Sequence, residues 1–327
     1  MTKTAKIRAA LSGILIAILL VEAFDFFGGY DFIKAGLYQP SEEVSALISN
    51  LELTGRGERI LKATKPSLDS KELFNEKCDS HKAEIYVLGC YLTGDDQIHL
   101  YDVKETELSG VKESTAAHEL LHAVYLRLPF WEKDSLNKNL KAVYDSLAED
   151  DDIKTSLKLY SDDDFYDELH SRLGTEIKDL PYELEKHYEA IFKNQDKIVD
   201  YYEKYSGTFK KYEKETEALG KRLETMQTEI DEEERRLAEL SKDLNERIEN
   251  YNSRVSSHSY TDARTIRAEG DSLQAEVNSI NAAYDALNQK IDEYNNLIAE
   301  YNNSVIRTNQ IFNSINSNSE KFETVNN

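Results

Sequence analysis

The sequence predicts an α+β fold: a mainly helical domain carrying a small β ribbon, followed by a long α-helical coiled-coil hairpin and preceded by an N-terminal transmembrane helix. Three observations predict it. Residues 9–21 are uncharged and largely apolar behind a basic start. Residues 83–103 hold the strand-like stretches and lead directly into a helix-like one. From Leu184 onward, apolar residues alternate at spacings of four and three. The corresponding divisions are 1–30 for the anchor, 31–182 for the mixed domain, 183–316 for the coiled coil and 317–327 for a flexible tail.

Lys3, Lys6 and Arg8 keep the N-terminus cytoplasmic, so the chain beyond the apolar run faces outward. Ala9 to Val21 is shorter than the span of about 20 residues that a bilayer needs. It also has the length of a signal-peptide core, with Val21-Glu22-Ala23 as a cleavage site. Phe24, Phe26 and Phe27 carry the apolar character past Glu22 and Asp25 to Tyr30, which favours an uncleaved, single-pass anchor in the cell membrane. Under either reading the remaining chain is extracytoplasmic. Its net charge of −22 makes nucleic acid and anionic headgroups poor partners for the body of the protein. The two cysteines, Cys78 and Cys90, form a disulfide across a short loop in an oxidising compartment, or stay reduced and buried. Their spacing is not that of a zinc ribbon.

All four prolines precede Tyr182, within the mixed domain. Ser41 to Leu51 reads as an amphipathic helix with Ser41 as N-cap. Thr54-Gly55-Arg56-Gly57 breaks it, and Arg59 to Thr64 forms another short helix ending before Pro66. Ala83 to Leu92 is rich in β-branched and aromatic residues, Thr93 to Asp96 is a turn, and Gln97 to Val103 alternates polar and apolar as a half-buried strand does. That alternation puts His99 on the solvent face rather than among ligands.

The next stretch is the one that carries chemistry. Ser114 to Val124 contains His118-Glu119-Leu120-Leu121-His122. Positions four apart share a helix face, so the two imidazoles can hold one metal ion, with Glu119 beside the first and within reach of a water. Neutral His nitrogens suit Zn²⁺. The flanking Ala116, Ala117, Ala123 and Val124 make the helix a buried one, where two His and a Glu are costly unless paired or metal-bound.

A β ribbon, a helix with His-Glu-x-x-His and a second helix offering a Glu together resemble the gluzincin class of zinc metallopeptidases, over about residues 80–190. The metzincin continuation is absent, since Val124 to Pro129 supplies no further His. The resemblance implies a third ligand from a later acid. Glu168 is similar to the class pattern, because the small residues Ser171 and Gly174 come after it and let the second helix pack close. Glu176 is the runner-up. In the class an Asp four residues after the Glu ligand orients a metal-bound His; here that position is Arg172, which leaves Glu176, two turns past Glu168, to hold the imidazole. His170 points away from Glu168 on a helix and is not expected on the same ion. Tyr125, Tyr160, Tyr166, His170 and His187 are all available as oxyanion donors, and spacing does not choose among them.

In the second half, Leu184, Tyr188, Ile191, Ile198 and the residues after them keep the 4-3 spacing to Tyr251, with polar Gln195, Thr216, Glu233 and Arg247 in the gaps. The spacing breaks over 256–261 and resumes from Leu273 to Ile315, which predicts helices over about 183–255 and 262–316. A single apolar stripe cannot stay folded alone in water. The Ser-rich break with Asp262 as N-cap favours an antiparallel hairpin over pairing with another chain. Its outer face is either plain solvation or a site for a protein partner.

The resemblance therefore implies a membrane-anchored, extracytoplasmic zinc-dependent metallopeptidase. His118, His122 and Glu168 would hold Zn²⁺, Glu119 would act as general base, and a peptide or protein would be the substrate, paired along the edge strand. The alternatives are a non-catalytic envelope scaffold acting through its coiled coil, and a metal-dependent hydrolase of another bond.

Overall fold

The computed structural model describes residues 28–78, 88–158, 160, 164–259, 262–315 and 323–325. Most of the predicted anchor (1–27), the first part of the predicted first strand (83–87) and most of the predicted tail lie outside the described residues. Among the described residues, no helix is long and apolar enough to cross a membrane. The chain divides into two compact units, one reaching Phe209 and taking up the stretch from Ile311, the other formed by Lys210–Gln310 with the C-terminal residues.

The first unit opens with α1 (Gly29–Leu37), α2 (Glu42–Asn50) and α3 (Gly55–Ala63). Ser41 caps α2 as expected, its hydroxyl accepting from the Val44 amide. The predicted break at 54–57 is instead a helix start. Thr54 accepts from the Gly57 amide, so α3 begins four residues earlier than the glycines suggest.

A three-stranded sheet comes next, in the order β1 (Ser67–Asp69), β3 (Gln97–Tyr101), β2 (Gly89–Leu92), with α4 (Lys71–Lys77) between β1 and β2 in the chain. β1 is not expected from the sequence; it pairs parallel to β3, and β2 pairs antiparallel to it. This overturns the reading of His99. β3 is the central strand, and Ile98, His99 and Leu100 are all buried. The face predicted to meet water is covered by α4 and by the Cys78–Cys90 disulfide, which packs with Phe74 against Tyr101. His99 Nδ1 lies 2.6 Å from the Asp69 carboxylate and 3.2 Å from the Ser67 hydroxyl.

The core is built around α5 (Val111–Leu126), which is succeeded by α6 (Phe130–Ser146), α7 (Asp152–Leu157), α8 (Phe165–Glu176) and α9 (Tyr182–Glu189). Ala116, Ala117, Leu120, Leu121, Ala123 and Val124 of α5 are completely buried. The predicted continuous helix from 183 does not form. α9 ends at Glu189 and the chain turns against the loop after α2, where the Thr54 amide donates to the Ile191 carbonyl and the Lys193 amide to the Glu52 carbonyl. Leu184 and Tyr188 serve the globular core rather than a coiled-coil seam. The long helix α10 starts only at Gln195.

The second unit is formed by the parts of α10 (Gln195–Ser256) and α11 (Ala263–Ser314) beyond Phe209 and before Ile311, which pair antiparallel as the broken heptad pattern predicts. Leu223 packs with Leu297 and Ile298, and Ile230 and Leu237 with Leu287. Two of the polar gaps, Thr216 and Arg247, are partnered across the seam. Thr216 Oγ1 lies 2.6 Å from Ser304 Oγ and 2.9 Å from Thr308 Oγ1, and Arg247 pairs with both Glu276 oxygens at 2.5 and 2.6 Å. Asp262 caps α11 through the Arg264 amide.

At Gly174, α8 packs against α5 and α9 without room for a side chain. A Cβ there would lie 2.5 Å from Leu121 Cδ1 and 2.5 Å from Tyr188 Cε1, both on fully buried side chains. Gly174→Val is expected to lower stability by about 1–3 kcal/mol, as overpacking does. Urea unfolding of the purified chain checks this, and an unchanged midpoint would mean that these helices do not approach so closely.

Candidate metal centre

α5 presents His118 and His122 one turn apart, and their Nε2 atoms are 3.1 Å from each other. α8 brings Glu168 to the pair: one carboxylate oxygen lies 3.6 Å from His118 Nε2 and 3.5 Å from His122 Nε2. Among the described residues this is a group of three ligand atoms, one from each side chain, that could hold a metal ion. The triangle fits that use. Ligand atoms about 2.0–2.1 Å from a tetrahedral ion are separated by about 3.3–3.4 Å, close to the three spacings found here. A tetrahedron with three protein corners keeps a fourth open.

Local packing accounts for the placement. α8 buries Leu169, Leu173 and Ser171, and the missing side chain at Gly174 lets its backbone close on α5. Glu168, one position from Leu169, is thereby carried into the interior. Glu176, the runner-up, does not join the group. It lies at the far end of α8 and forms a two-pronged pair with Arg172, at 2.7 and 2.9 Å. Nor does it orient an imidazole. That part falls to Asp167, whose carboxylate is 2.9 Å from His122 Nδ1. An Nδ1–H donated there leaves Nε2 with its lone pair toward Glu168 and His118, as a ligating imidazole requires. Sequence reasoning missed Asp167, although it directly precedes the assigned ligand.

The electrostatics derive from burial and these partners. Burial pushes His118 and His122 toward neutrality, but Glu168, joined by Asp167 at His122, more than offsets it, and both pKa values end up raised, that of His122 strongly. Burial also pushes Glu168 toward protonation, yet the two imidazoles hold it far below the usual carboxylate range. Two carboxylates and two imidazoles thus converge, a charge arrangement that a divalent cation also satisfies.

Glu119 is buried beside the first His. A Cβ at Gly89 would be 2.8 Å from Glu119 Oε1 and 2.6 Å from Thr115 Cγ2, so only glycine fits on β2 at this point. A glycine inside a strand-like run is the signal that could have found this close approach. Among the described residues β2 pairs with β3 alone, which makes it an edge strand lying against the Glu119 side chain.

His170 keeps off the triad, as predicted. Its Nε2 is 2.8 Å from His187 Nε2, and its ring stacks on Tyr188. Tyr125, another of the possible donors, gives its hydroxyl to Asn137. Compared with known proteins, the chain matches no family model, no curated protein and no solved structure.

Asp167→Ala should weaken metal binding about 10–100-fold without unfolding the domain, as loss of an orienting partner does; competition with a chromophoric chelator measures it. The His170–His187 pair sets an acid limit. Burial, with Arg56 nearby, lowers His187 from 6.5 to about 4, and burial with His187 lowers His170 well below 6.5. The unfolded chain therefore binds more protons between pH 6.5 and about 4, and stability falls as pH drops through that window. For His187→Gln, the metal-free urea midpoint should fall less steeply across the same window.

Proposed function

We propose that this chain is a membrane-anchored, extracytoplasmic zinc-dependent metallopeptidase of the gluzincin type. The observation that carries the reading is the triangle of His118, His122 and Glu168 with a buried Glu119 on the same helix. Zinc is favoured over harder cations because two of three ligands are imidazoles and the spacings suit tetrahedral bonds. Bound there, zinc would polarise a carbonyl and make water acidic enough to ionise near neutral pH.

The chain's own residues supply the rest. His118, His122 and Glu168 bind the ion, and Asp167 keeps His122 in the ligating tautomer. Glu119 accepts the proton of the attacking water and later delivers it to the leaving amine. The edge of β2 offers backbone groups to an extended peptide, and Gly89 lets that edge run close to Glu119. The Cys78–Cys90 disulfide supports an oxidising compartment, and the basic start with the apolar run Ala9 to Val21 and the phenylalanines after it supports the anchor.

Glu119→Gln separates binding from chemistry. It should retain stoichiometric zinc by elemental analysis while peptide hydrolysis falls by at least about 10²-fold, the low end of a general base's contribution. A Gln variant that still turns over peptide at the wild-type rate would discard the mechanism, and a wild-type protein that takes up no zinc would discard the site.

A further inference from the structure

α1 is built inside out for a water-facing helix. None of its residues is buried, and Tyr30, Phe32, Ile33 and Leu37 are each more than half exposed. Its polar side chains turn toward the protein instead. Asp31 receives both Arg127 branches at 2.9 Å, Lys34 reaches Asp96 at 2.7 Å, and Arg127 also binds Asp96 at 2.8 Å. Just past α1 the Tyr38 hydroxyl donates to the Pro66 carbonyl.

Arg127 belongs to a second exposed apolar group. It sits between Leu126, about half exposed, and Phe130 and Trp131, each more than half exposed. The Phe130 and Trp131 rings pack edge to face, 5.1 Å apart. One guanidinium therefore ties two aromatic-rich outward segments together: α1 and the corner between α5 and α6. Water-facing side chains of this size gain nothing from such exposure, and a grouped set marks a contact surface.

We propose that this surface lies on the lipid bilayer, at the level of the headgroups, so that the domain rests on the membrane as well as being tethered to it. The inference rests on the anchor reading above. The uncharged run ends at Val21, and the apolar character that Phe24, Phe26 and Phe27 carry past Glu22 and Asp25 ends two residues before α1 begins. A chain leaving the hydrocarbon there can take Tyr30 only about 10 Å away, at about 3.3–3.6 Å per residue. α1 is thus confined to the interface by its place in the chain. Tyr and Trp prefer that depth, where an apolar ring body and a polar tip are both satisfied. With a net charge of −22 on the chain, attraction to anionic lipid cannot be the cause, and the fit is to a zwitterionic surface. The other occupants of such a patch are residues 1–27 folded back and a second copy of the chain.

The protein carries its own reporter, because Trp131 is the single tryptophan of the sequence. The full chain is reconstituted into phosphatidylcholine vesicles, floated on a density gradient, and its emission recorded with and without phosphatidylcholine brominated near the headgroup end of the acyl chains. The expected result is flotation, with Trp131 emission shifted to shorter wavelength and mostly quenched by the brominated lipid. Phe32→Ser with Phe130→Ser should still float but lose most of that quenching. Flotation with Trp131 unquenched by bromolipid and open to aqueous iodide overturns the surface and leaves the anchor standing. Flotation with Trp131 shielded from both quenchers also overturns it, in favour of a protein occupant. Failure to float overturns the anchor reading and this surface with it.

Discussion

The close approach of α5 and α8 is the constraint on which the site depends. Imidazoles one turn apart on a helix offer a cation only two ligand atoms. A carboxylate brought to their open side completes a group of three ligand atoms that could hold a cation, and the missing side chain at Gly174, with the small buried Ser171 on the same helix, leaves room for that approach. An ionised carboxylate taken from water costs several kcal/mol unless partners replace its hydration. Here the partners are His118 and His122, and they hold Glu168 ionised in spite of burial. Arg172 and Glu176 solve the same problem elsewhere on α8 by pairing with each other. A single helix thus carries one acid committed to a neighbouring cation and another left for the site.

The second unit works under a different constraint. An apolar stripe of leucines and tyrosines drives two long helices together but fixes their register only loosely. The buried Thr216, with Ser304 and Thr308, and the Arg247–Glu276 pair are satisfied in one register. The buried Thr216 thus favours one register, much as a lone polar core residue does in a coiled coil.

Much of this was legible in the sequence, and the failures have physical causes. The His118–Glu119–His122 motif and the two long helices come from spacing, because helical periodicity is a local property, and the Ser-rich break with Asp262 turns those helices into an antiparallel hairpin. Glu168 was reached only through a resemblance, since nothing local distinguishes it from Asp164, Asp167 or Glu176. Asp167 was missed because orienting an imidazole is a tertiary relation between helices whose partners lie 45 positions apart. His99 was misplaced because period-two alternation assumes one wet face, whereas β1 and α4 make β3 a central, doubly covered strand. The helix expected from 183 fails because Leu184 and Tyr188 fit a heptad and a globular core equally well, and the backbone pairing at Ile191 and Lys193 decides between them.

The central claim is that three side chains from two helices close on one ion. Crystals of the full chain diffracted on both sides of the zinc absorption edge test that directly. The expected result is an anomalous peak about 2.0–2.2 Å from His118 Nε2, His122 Nε2 and a Glu168 oxygen, with Asp167 on His122 Nδ1. Density for zinc at other residues, or a zinc-soaked crystal with no peak between the imidazoles and Glu168, would contradict it.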